Sequence, residues 1–542
     1  MQEEQRQQAV TAFQEFLSTP LETQLQRHQH TSAESSVLAL FRDVVAHVPA
    51  YRAFLAEQGI SYNSIQTFED FAKLPLITKE NYHTRHPLAD LCRNGRLEMC
   101  DMIAVSSGST GKPTFWPRFL TDELQIATRF EQIFHDSFYA DTRSTLAVIC
   151  FTLGTWVGGM YTTSCCRHLA SKGYPITLVT PGNNKEEIFR VVGELGPAFE
   201  QVVLLGYPPF LKDVIDTGIA RGMEWERYQI KLVMAGEVFS EEWRSLVGER
   251  VGSKNVCYDS ASLYGTADAG VLGNETPLSI CIRKFLAENP DASRALFGES
   301  RLPTLVQYDP LSRFFEVHEG TLLFTGNNGI PLIRYHISDQ GGIISYDAML
   351  KFLAEWGFNP VEVIMNRPQA VSLGLEEQSP PARAIIGDNR PQAVSLGLEE
   401  QSPPARAIKT RGIHQLPFVY VFGRSNFTVS YFGANIYPEN VTVGLEQPVI
   451  REWVTGKFVL QVKEDADQNR FLSVVVELAP NVEGNEEKKA TISSSILSQL
   501  LRLNSEFANY VPAEFQKPQI ELKTTGDTEY FPIGVKHRYT RK

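Results

Sequence analysis

The chain has 542 residues, which is more than one ordinary hydrophobic core can organise, so its length predicts two to four structural units. Its 43% hydrophobic and 21% charged residues are typical of a folded globular protein. The net charge of −12, without a basic stripe, argues against strong binding to nucleic acid or to an anionic membrane surface. Small-molecule chemistry is therefore the favoured class of function.

Seven cysteines without a CxxC pair describe neither a disulfide framework nor a cysteine-rich zinc site. The N-terminal sequence MQEEQRQQAV lacks the cationic start and apolar core of a secretory signal. The most apolar stretch, residues 146–161, is shorter than the roughly 20 residues of a bilayer span. We therefore expect a cytoplasmic protein that has no membrane contact, and we interpret 146–161 as a buried strand followed by a glycine-rich turn.

Hydrophobic periodicity predicts helices in residues 1–60, where Val37, Phe41 and Val44 have helical spacing until Pro49 stops the pattern. From about 100 to 345, short β-branched runs alternate with helical segments. The predicted strands include 176–179, 201–205 and 231–234, and the predicted helices include 185–195. This alternation is typical of α/β layering.

The sequence NRPQAVSLGLEEQSPPARAI occurs at 366–385 and again, without a change, at 389–408. Solenoid repeats need at least three units and usually diverge, so two identical polar copies indicate a duplication within a loop. We expect a surface insertion here; a dedicated partner-binding element is the alternative.

After Gly423 the pattern becomes compact again. Predicted strands at 458–462, 471–478 and 519–522 surround a predicted helix that carries Ile492, Ile496, Leu500, Leu503 and Phe507. These elements predict a second, small α+β domain of about 120 residues.

A loop suited to phosphate binding lies at residues 105–114, with the sequence VSSGSTGKPT. Glycines let the backbone N–H groups approach phosphate oxygens, hydroxyls donate hydrogen bonds, and a lysine adds a positive charge. The candidate phosphate-binding residues are Ser106, Ser107, Gly108, Ser109, Thr110, Gly111 and Lys112. A Walker A motif is excluded, because it requires glycine at Ser106 and a hydroxyl residue at Pro113. A flexible Ser/Gly linker is the alternative.

The loop stands among segments whose order resembles the phenylacetate-CoA ligase branch of the adenylate-forming acyl- and aryl-CoA synthetase superfamily. Upstream, VPAYRAFLAEQGI and FEDFAKLPLITKENY resemble its N-terminal signature, and the likeness runs along most of the chain. The resemblance implies an α/β fold with a large N-terminal domain of layered sheets and helices, and a small C-terminal α+β domain on a hinge. The implied domains are 1–422, including the insertion 366–408, and 423–542.

Residues 144–182 resemble the segment of that family which approaches the acyl group. The resemblance implies that Trp156, Gly158 and Gly159 contact the acid substrate. For Trp156 the alternative is plain core packing, because tryptophan in an apolar run is usually buried.

Two further segments resemble the family's nucleotide site. MAGEVFSEEWR implies that Gly236 and Glu237 lie near the nucleotide. DSASLYGTADAG resembles the Tyr-Gly-x-Thr-Glu motif, which implies that Tyr264 stacks on adenine, that Gly265 belongs to the nucleotide site and that Thr266 touches the α-phosphate.

The last position of that motif is usually a magnesium-binding glutamate, and here it is Asp268, a carboxylate on a shorter arm. IRYHISDQGG resembles the segment whose aspartate binds the ribose hydroxyls, which implies that role for Asp339; otherwise Asp339 is a turn residue. FGRSNFTVSYFGANIYPENV resembles the hinge motif, in which Arg424 reaches ribose or phosphate. Asn426 and Phe427 replace the two aspartates that are usual there.

The C-terminal PIGVKHRYTRK resembles the segment that holds the family's catalytic lysine, which implies that role for Lys536. An ordinary solvated basic tail is the alternative. Lys536 stands a full small domain after the hinge motif, which favours the catalytic role.

Together these motifs imply an AMP-forming acid–thiol ligase that uses ATP, Mg²⁺ and coenzyme A. A carboxylic acid is activated as acyl-AMP, and the small domain then rotates so that the thiol of coenzyme A can attack. The expected partners are the small-molecule carboxylic acid, ATP and coenzyme A. The alternatives are transfer to an amine or to a carrier-protein thiol, and a non-catalytic nucleotide-binding protein on the same fold.

Overall fold

The computed structural model describes residues 2–106, 114–154, 157–299, 302–365, 411–424, 429–432, 434–464, 470–504, 507–508, 511–532 and 537–540. The α-helices are α1 (Gln2–Ser18), α2 (Leu21–Gln26), α3 (Ala33–His47), α4 (Pro49–Glu57), α5 (Phe68–Phe71), α6 (Leu120–Gln132), α7 (Val157–Ser171), α8 (Lys185–Leu195), α9 (Pro208–Ala220), α10 (Glu241–Arg250), α11 (Val256–Asp259), α12 (Pro277–Glu288), α13 (Pro290–Phe297), α14 (Tyr346–Glu355), α15 (Pro360–Met365), α16 (Pro438–Leu445) and α17 (Glu486–Leu503).

The strands are β1 (Met102–Ser106), β2 (Thr114–Arg118), β3 (Thr145–Ile149), β4 (Ile176–Val179), β5 (Gln201–Gly206), β6 (Ile230–Ala235), β7 (Ser260–Thr266), β8 (Gly270–Asn274), β9 (Thr304–Gln307), β10 (Arg313–His318), β11 (Thr321–Gly326), β12 (Leu332–Ile344), β13 (Phe418–Arg424), β14 (Val429–Tyr431), β15 (Ala434–Ile436), β16 (Val454–Glu464), β17 (Arg470–Leu478) and β18 (Gln519–Lys523).

A large mixed sheet organises most of the chain, with the strand order β10-β11-β12-β13-β9-β8-β7-β6-β5-β3-β4. The neighbouring strands from β4 to β7 are parallel, and the other pairs are antiparallel. The carboxyl ends of β5, β6 and β7 therefore meet at one edge, which is where ligands bind in open α/β sheets.

Helices cover both faces of the parallel strands, and the alternation of side chains along β5 shows how. Val203 and Leu205 pack in one buried cluster with residues of α6 and α7. Val202 and Leu204 pack in the opposite cluster with residues of α8, α9 and α10. A strand buried on both faces needs a continuous apolar run, which is what VVLL supplies. The predicted α/β layering is confirmed.

Several predicted elements match the structure. The predictions for β4 and α8 agree at both ends, and β5 and β6 extend slightly beyond 201–205 and 231–234. The helical pattern was expected to stop at Pro49, and the structure has a junction between two helices there. α3 ends at His47, and Pro49 is the first residue of α4. Proline fits there since the first helical N–H has no partner within the helix.

The buried strand predicted within 146–161 is confirmed, and Gly154, with a φ of +87°, lies in the bend that follows it, but the other two glycines do not belong to this turn. β3 ends at Ile149, but Gly158 and Gly159 lie in the first turn of α7. Glycine can adopt the backbone angles of a turn and those of a helix, so the two glycines alone did not show which of the two structures forms here. None of the helices in the described ranges combines the length and the apolarity that a membrane crossing requires.

Residues 429–540, which we call the C-terminal unit, have a core and a three-stranded sheet of their own, in the order β16-β17-β18. The helix α17 packs on this sheet through Ile492, Ile496 and Leu500. The helix ends at Leu503, short of the predicted Phe507, although Phe507 is fully buried in the same core. The boundary expected at 422/423 falls inside β13, which pairs with β12 and β9, and it stays a prediction.

Polar contacts join the C-terminal unit to α9 and α10. Lys212 Nζ donates to the carbonyl of Val454 at 3.0 Å, and Arg250 is 2.8 Å from the carboxylate of Glu452. The Ser240 hydroxyl, which caps α10, also donates to the carboxyl group of Glu446. The other oxygen of Glu446 is buried without a hydrogen-bond partner among the described residues.

Both copies of the duplicated sequence lie outside the described residues, but the chain on either side is firmly packed. Before them, Ile364 of α15 is buried in the core that contains Ile282 of α12. After them, Arg411 donates to Asp141 and to Nε2 of His135, each at 2.6 Å. His414 contacts Asp136 at 2.7 Å, and Asp136 also accepts from Nδ1 of His135 at 2.8 Å.

We expect deletion of residues 389–408 to leave thermal stability nearly unchanged, because both flanks are anchored outside the copy. Loop-closure entropy changes slowly with length, by about 0.5 kcal/mol for such a shortening. The melting temperature measured by calorimetry checks this. Arg411→Ala, which removes a partly buried anchor, should lower the melting temperature clearly. A larger loss in the deletion than in Arg411→Ala would show that the copy is itself packed.

A second prediction concerns pH. Burial raises the pKa of Glu446 to about 8, and nearby Glu242 adds to this, while the Ser240 hydrogen bond, Lys212 and Arg283 oppose it. The folded protein therefore binds this proton more tightly than the unfolded chain, so stability should fall as pH rises from about 4.5 to about 8.

The isosteric Glu446→Gln cannot ionise and should remove this part of the fall. Urea unfolding midpoints across that pH range measure it. Glu452→Gln removes an exposed carboxylate where the C-terminal unit meets α10. This variant should keep the wild-type dependence of the unfolding midpoint on pH. Parallel curves for wild type and Glu446→Gln would contradict the prediction.

Candidate active site

Two buried tyrosine–aspartate pairs link the end of β7 to β12. The hydroxyl of Tyr264 donates to Oδ2 of Asp339 at 2.7 Å, and the hydroxyl of Tyr335 donates to Oδ2 of Asp268 at 2.5 Å. All four side chains are less than a tenth exposed. The structure thus brings together three residues that the sequence placed in two separate motifs.

Two contacts hold the Tyr264 side chain in place. Its hydroxyl is held by Asp339, and its ring lies nearly parallel to that of Phe315, at 23° with centroids 6.5 Å apart. Asp339 stands opposite Arg424 in the register of β12 and β13. A flat aromatic ring beside a carboxylate is suited to a nucleoside, which offers a base to stack and hydroxyls to donate.

The turn after β7 is tied to the strand that follows the Ser/Gly loop. The Thr266 hydroxyl accepts from the N–H of Ala269 at 3.1 Å. The buried guanidinium of Arg118, at the end of β2, donates to the carbonyls of Ala267 at 2.5 Å and Asp268 at 3.1 Å. A displacement of β2 would therefore move the turn that carries Thr266 and Asp268.

Asp268 has a second polar neighbour in His83. Nε2 of His83 donates to the carbonyl of Phe115 at 3.1 Å, and the imidazole packs on Trp116 with ring centroids 4.2 Å apart. Burial lowers the pKa of His83, against the opposing influence of that hydrogen bond and of Asp268. The imidazole is therefore neutral at pH 7, and Tyr335 supplies the hydrogen bond that holds Asp268 in place.

Tyr207, at the end of β5, separates the two predicted subsites. A Cβ atom at Gly158 would lie 3.5 Å from the Tyr207 hydroxyl, and one at Gly236 would lie 2.9 Å from the Tyr207 ring. Gly236 also has a φ of +87°, which disfavours any larger residue. The ring meets Phe151 edge to face, with centroids 5.0 Å apart. Tyr207 is thus a wall between the glycine predicted to contact the acid and the glycine predicted to lie near the nucleotide.

Two other predicted glycines have a packing role. A Cβ atom at Gly159 or at Gly265 would come within 2.5 Å of the carbonyl oxygen of Thr152 or of Gly270, respectively. No side chain fits without a backbone shift at either position.

The loop after β6, residues 236–240, rests on a buried network of ions. Arg283 donates to the carbonyl of Phe239 at 2.6 Å and to Glu241. Arg244 binds Glu241 at 2.9 Å and Glu275 at 2.6 Å. At the open side of the loop, Glu237 accepts from the hydroxyl of Tyr539 of the C-terminal unit at 2.6 Å.

Other predicted site residues lie outside the described residues: Ser107, Gly108, Ser109, Thr110, Gly111, Lys112, Trp156 and Lys536. The same holds for the side chains of Ser106 and Arg424 and for the hinge residues Asn426 and Phe427. The backbone of Ser106 pairs with that of Thr114, so β1 and β2 approach each other where the loop leaves them.

No motif in the sequence indicates a role for Arg118, His83 or Tyr207. Their roles come from contacts with residues far away in the chain, such as that of Arg118 with Asp268. Tyr335 lies inside the quoted IRYHISDQGG and could have been considered with Asp339. Within the described residues no group of three or more His, Cys, Asp and Glu side chains is arranged to hold a metal ion.

Two curated proteins with significant similarity are phenylacetate-coenzyme A ligases. The one from Thermus thermophilus is 23% identical over 332 residues, which cover 60% of this chain and 68% of that protein. The one from Aromatoleum evansii is 21% identical over 301 residues, which cover 55% of this chain and 62% of that protein. No protein-family model matches the chain.

Among solved structures, two of 2-hydroxyisobutyryl-CoA ligase in the postadenylation state are similar over most of their length. The complex with R3-HIB-AMP has a TM-score of 0.61 at 13% identity, covering 96% of this chain and 91% of that one. The complex with 2-HIB-AMP has a TM-score of 0.57 at 13% identity, covering 94% and 87%. The chain is therefore related in sequence to the phenylacetate-CoA ligases and has the fold of the adenylate-forming CoA ligases.

Proposed function

We propose that the protein is an AMP-forming acid–thiol ligase, which activates a carboxylic acid with ATP and transfers the acyl group to coenzyme A. The observation that carries this proposal is the Tyr264–Asp339 pair, in which the hydroxyl of an aromatic side chain lies 2.7 Å from a carboxylate oxygen and links β7 to β12. The sequence relatives, both named phenylacetate-coenzyme A ligase, support the reaction class. The free cysteines of the described residues accord with the cytoplasmic location that we also propose.

In the first half-reaction a carboxylate oxygen of the acid attacks the α-phosphorus of ATP. The new P–O bond gives acyl-AMP, and the bond to the bridging oxygen breaks to release pyrophosphate. The protein supplies alignment and charge neutralisation rather than a covalent nucleophile. We assign the adenine to Tyr264, Gly236 and Glu237, the ribose to Asp339 and Arg424, and the phosphates to Thr266, Lys536 and residues 106–112.

The arrangement around Asp268 fits a magnesium ion. Mg²⁺ typically takes one or two carboxylates together with phosphate oxygens and water, so a single fixed carboxylate suffices. Tyr335 engages Oδ2 of Asp268, which lies in the same turn as Thr266. Bound there, Mg²⁺ would neutralise charge on the triphosphate.

In the second half-reaction the sulfur of coenzyme A attacks the acyl carbon, the thiol proton is released, and AMP leaves. The acyl group would lie beside Gly158, where Tyr207 and Phe151 form an aromatic wall. An aromatic wall suits an aryl or other apolar acid. A screen of aryl, fatty and amino acids in ATP–pyrophosphate exchange tests the activity, and AMP release with and without coenzyme A identifies the acceptor.

The nucleotide assignment predicts that Asp339→Ala greatly weakens ATP binding. Tyr264→Phe should weaken it roughly tenfold, because it retains the ring but releases the aspartate from a hydrogen bond. Isothermal titration calorimetry with ATP and Mg²⁺ measures both. Tyr308→Phe is the matched control, since Tyr308 packs on the same Phe315 ring. Equal affinities for all variants would remove the pair from the nucleotide site.

The assignment of Lys536 predicts that Lys536→Ala slows acyl-AMP formation by around 10²- to 10³-fold, the usual effect of losing one preorganised charge contact. Thioester formation from supplied acyl-AMP and coenzyme A should survive, because the C-terminal domain is proposed to have rotated by then. The two half-reactions are measured separately, with Lys489→Ala, an exposed lysine of α17, as the control. Equal losses in both half-reactions would contradict the proposed alternation.

A further inference from the structure

The last described residues of the chain are built into the sheet of the C-terminal unit. The backbone N–H of Leu460 donates to the carbonyl of Tyr539 at 2.7 Å, and Leu460 also forms a parallel bridge with Thr540. Nε2 of His537, the residue that follows Lys536, lies 2.7 Å from the carbonyl of Phe458. The segment after Lys536 therefore moves with β16.

Tyr539 also reaches out of the C-terminal unit. Its hydroxyl donates to the Glu237 carboxylate at 2.6 Å, and Glu237 is the neighbour of Gly236. Burial and the adjacent Glu237 raise the pKa of Tyr539 well above its ordinary value. The hydroxyl thus remains a donor at any physiological pH, and a bond of this kind to a carboxylate is among the stronger ones.

A second contact reaches the same loop from another element of the unit. Ser240, at the far end of the 236–240 loop, donates to Glu446, which follows α16. Two separated parts of the C-terminal unit thus meet one five-residue loop. Two separated contacts restrict the rotation of the C-terminal unit more than one contact would. The loop is therefore suited to set the orientation of the C-terminal unit relative to the large sheet.

The loop itself is rigid enough for this purpose. Its start is bent at Gly236, which packs against Tyr207, and its end is held by the bond from Arg283 to the carbonyl of Phe239. Both supports belong to the large sheet and its helices: Tyr207, which is partly buried, follows β5, and Arg283, which is buried, lies in α12. The geometry of the loop is therefore set by the part of the protein that holds Tyr264 and Asp339.

We propose that Tyr539 is a positioning residue, which docks the C-terminal unit on the 236–240 loop through Glu237 and so fixes the segment bearing Lys536 during acyl-AMP formation. The role of the contact in catalysis rests on the proposed function, whereas the docking itself does not. Tyr539 touches no reacting atom in this scheme; it acts through the placement of Lys536.

The docking is tested by amide hydrogen exchange on Tyr539→Phe, which keeps the ring packed on Phe458 and His537 but removes the donor. Tyr431→Phe is the matched control, because the Tyr431 hydroxyl bonds to the carbonyl of Phe515 inside the C-terminal unit. With ATP and Mg²⁺ present, Tyr539→Phe should raise exchange in a peptide covering residues 236–240 by severalfold, and Tyr431→Phe should not.

The reciprocal variant, Glu237→Ala, should raise exchange in the peptide covering residues 537–540. A purely local role for Tyr539 predicts faster exchange only in and around β16, and that result would overturn the docking proposal. Melting temperatures of all variants establish that each one is folded before exchange is compared.

The catalytic test uses the carboxylic acid that supports the fastest ATP–pyrophosphate exchange by the wild-type protein. Tyr539→Phe should slow ATP–pyrophosphate exchange by roughly tenfold to hundredfold, since small misplacements of a catalytic group have such effects. Thioester formation from the matching acyl-AMP should stay within about twofold of the Tyr431→Phe control. An equal loss in both half-reactions would contradict the positioning role. Wild-type protein inactive on every acid would instead refute the proposed function and leave the hydrogen-exchange result to decide the docking.

Discussion

The buried network of Arg244, Arg283, Glu241 and Glu275 is the constraint on which the site depends. Glu275 also accepts from the backbone N–H of Ser262, so the network reaches β7 as well as the 236–240 loop. Such networks add little net stability compared with an apolar core, but removal of one member leaves an uncompensated buried charge. Their value here is geometric, because one set of charges holds both the loop after β6 and the first residues of β7.

Neighbouring strands of the large sheet carry different parts of the candidate site. β7 presents Tyr264, β12 presents Asp339, and β5 is followed by Tyr207, which contacts the loop after β6 at Gly236. The site is therefore shaped by residues from at least four strands of one rigid sheet, which is the arrangement expected when alignment is the main task of the protein.

The sequence predicted the α/β class and the edges of β4 and α8, because apolar runs and helical periodicity are local properties. It also indicated Tyr264 and Asp339 separately, through resemblance. Their mutual hydrogen bond was not foreseeable, since the two residues are 75 positions apart. Arg118 and Tyr207 were missed for the same reason. Gly158 was misplaced in a turn because glycine permits a turn and the first turn of a helix alike.

The burial of Glu446 has a consequence for proton balance. Docked against Ser240, this carboxyl group holds its proton up to a pH of about 8. An exposed glutamate would lose the proton near pH 4.3. At neutral pH, separation of the C-terminal unit from the loop must therefore release close to one proton to the solvent, and re-docking must take one up. A movement that exposes Glu446 therefore exchanges a proton with the solvent, in addition to any proton that the reaction itself releases.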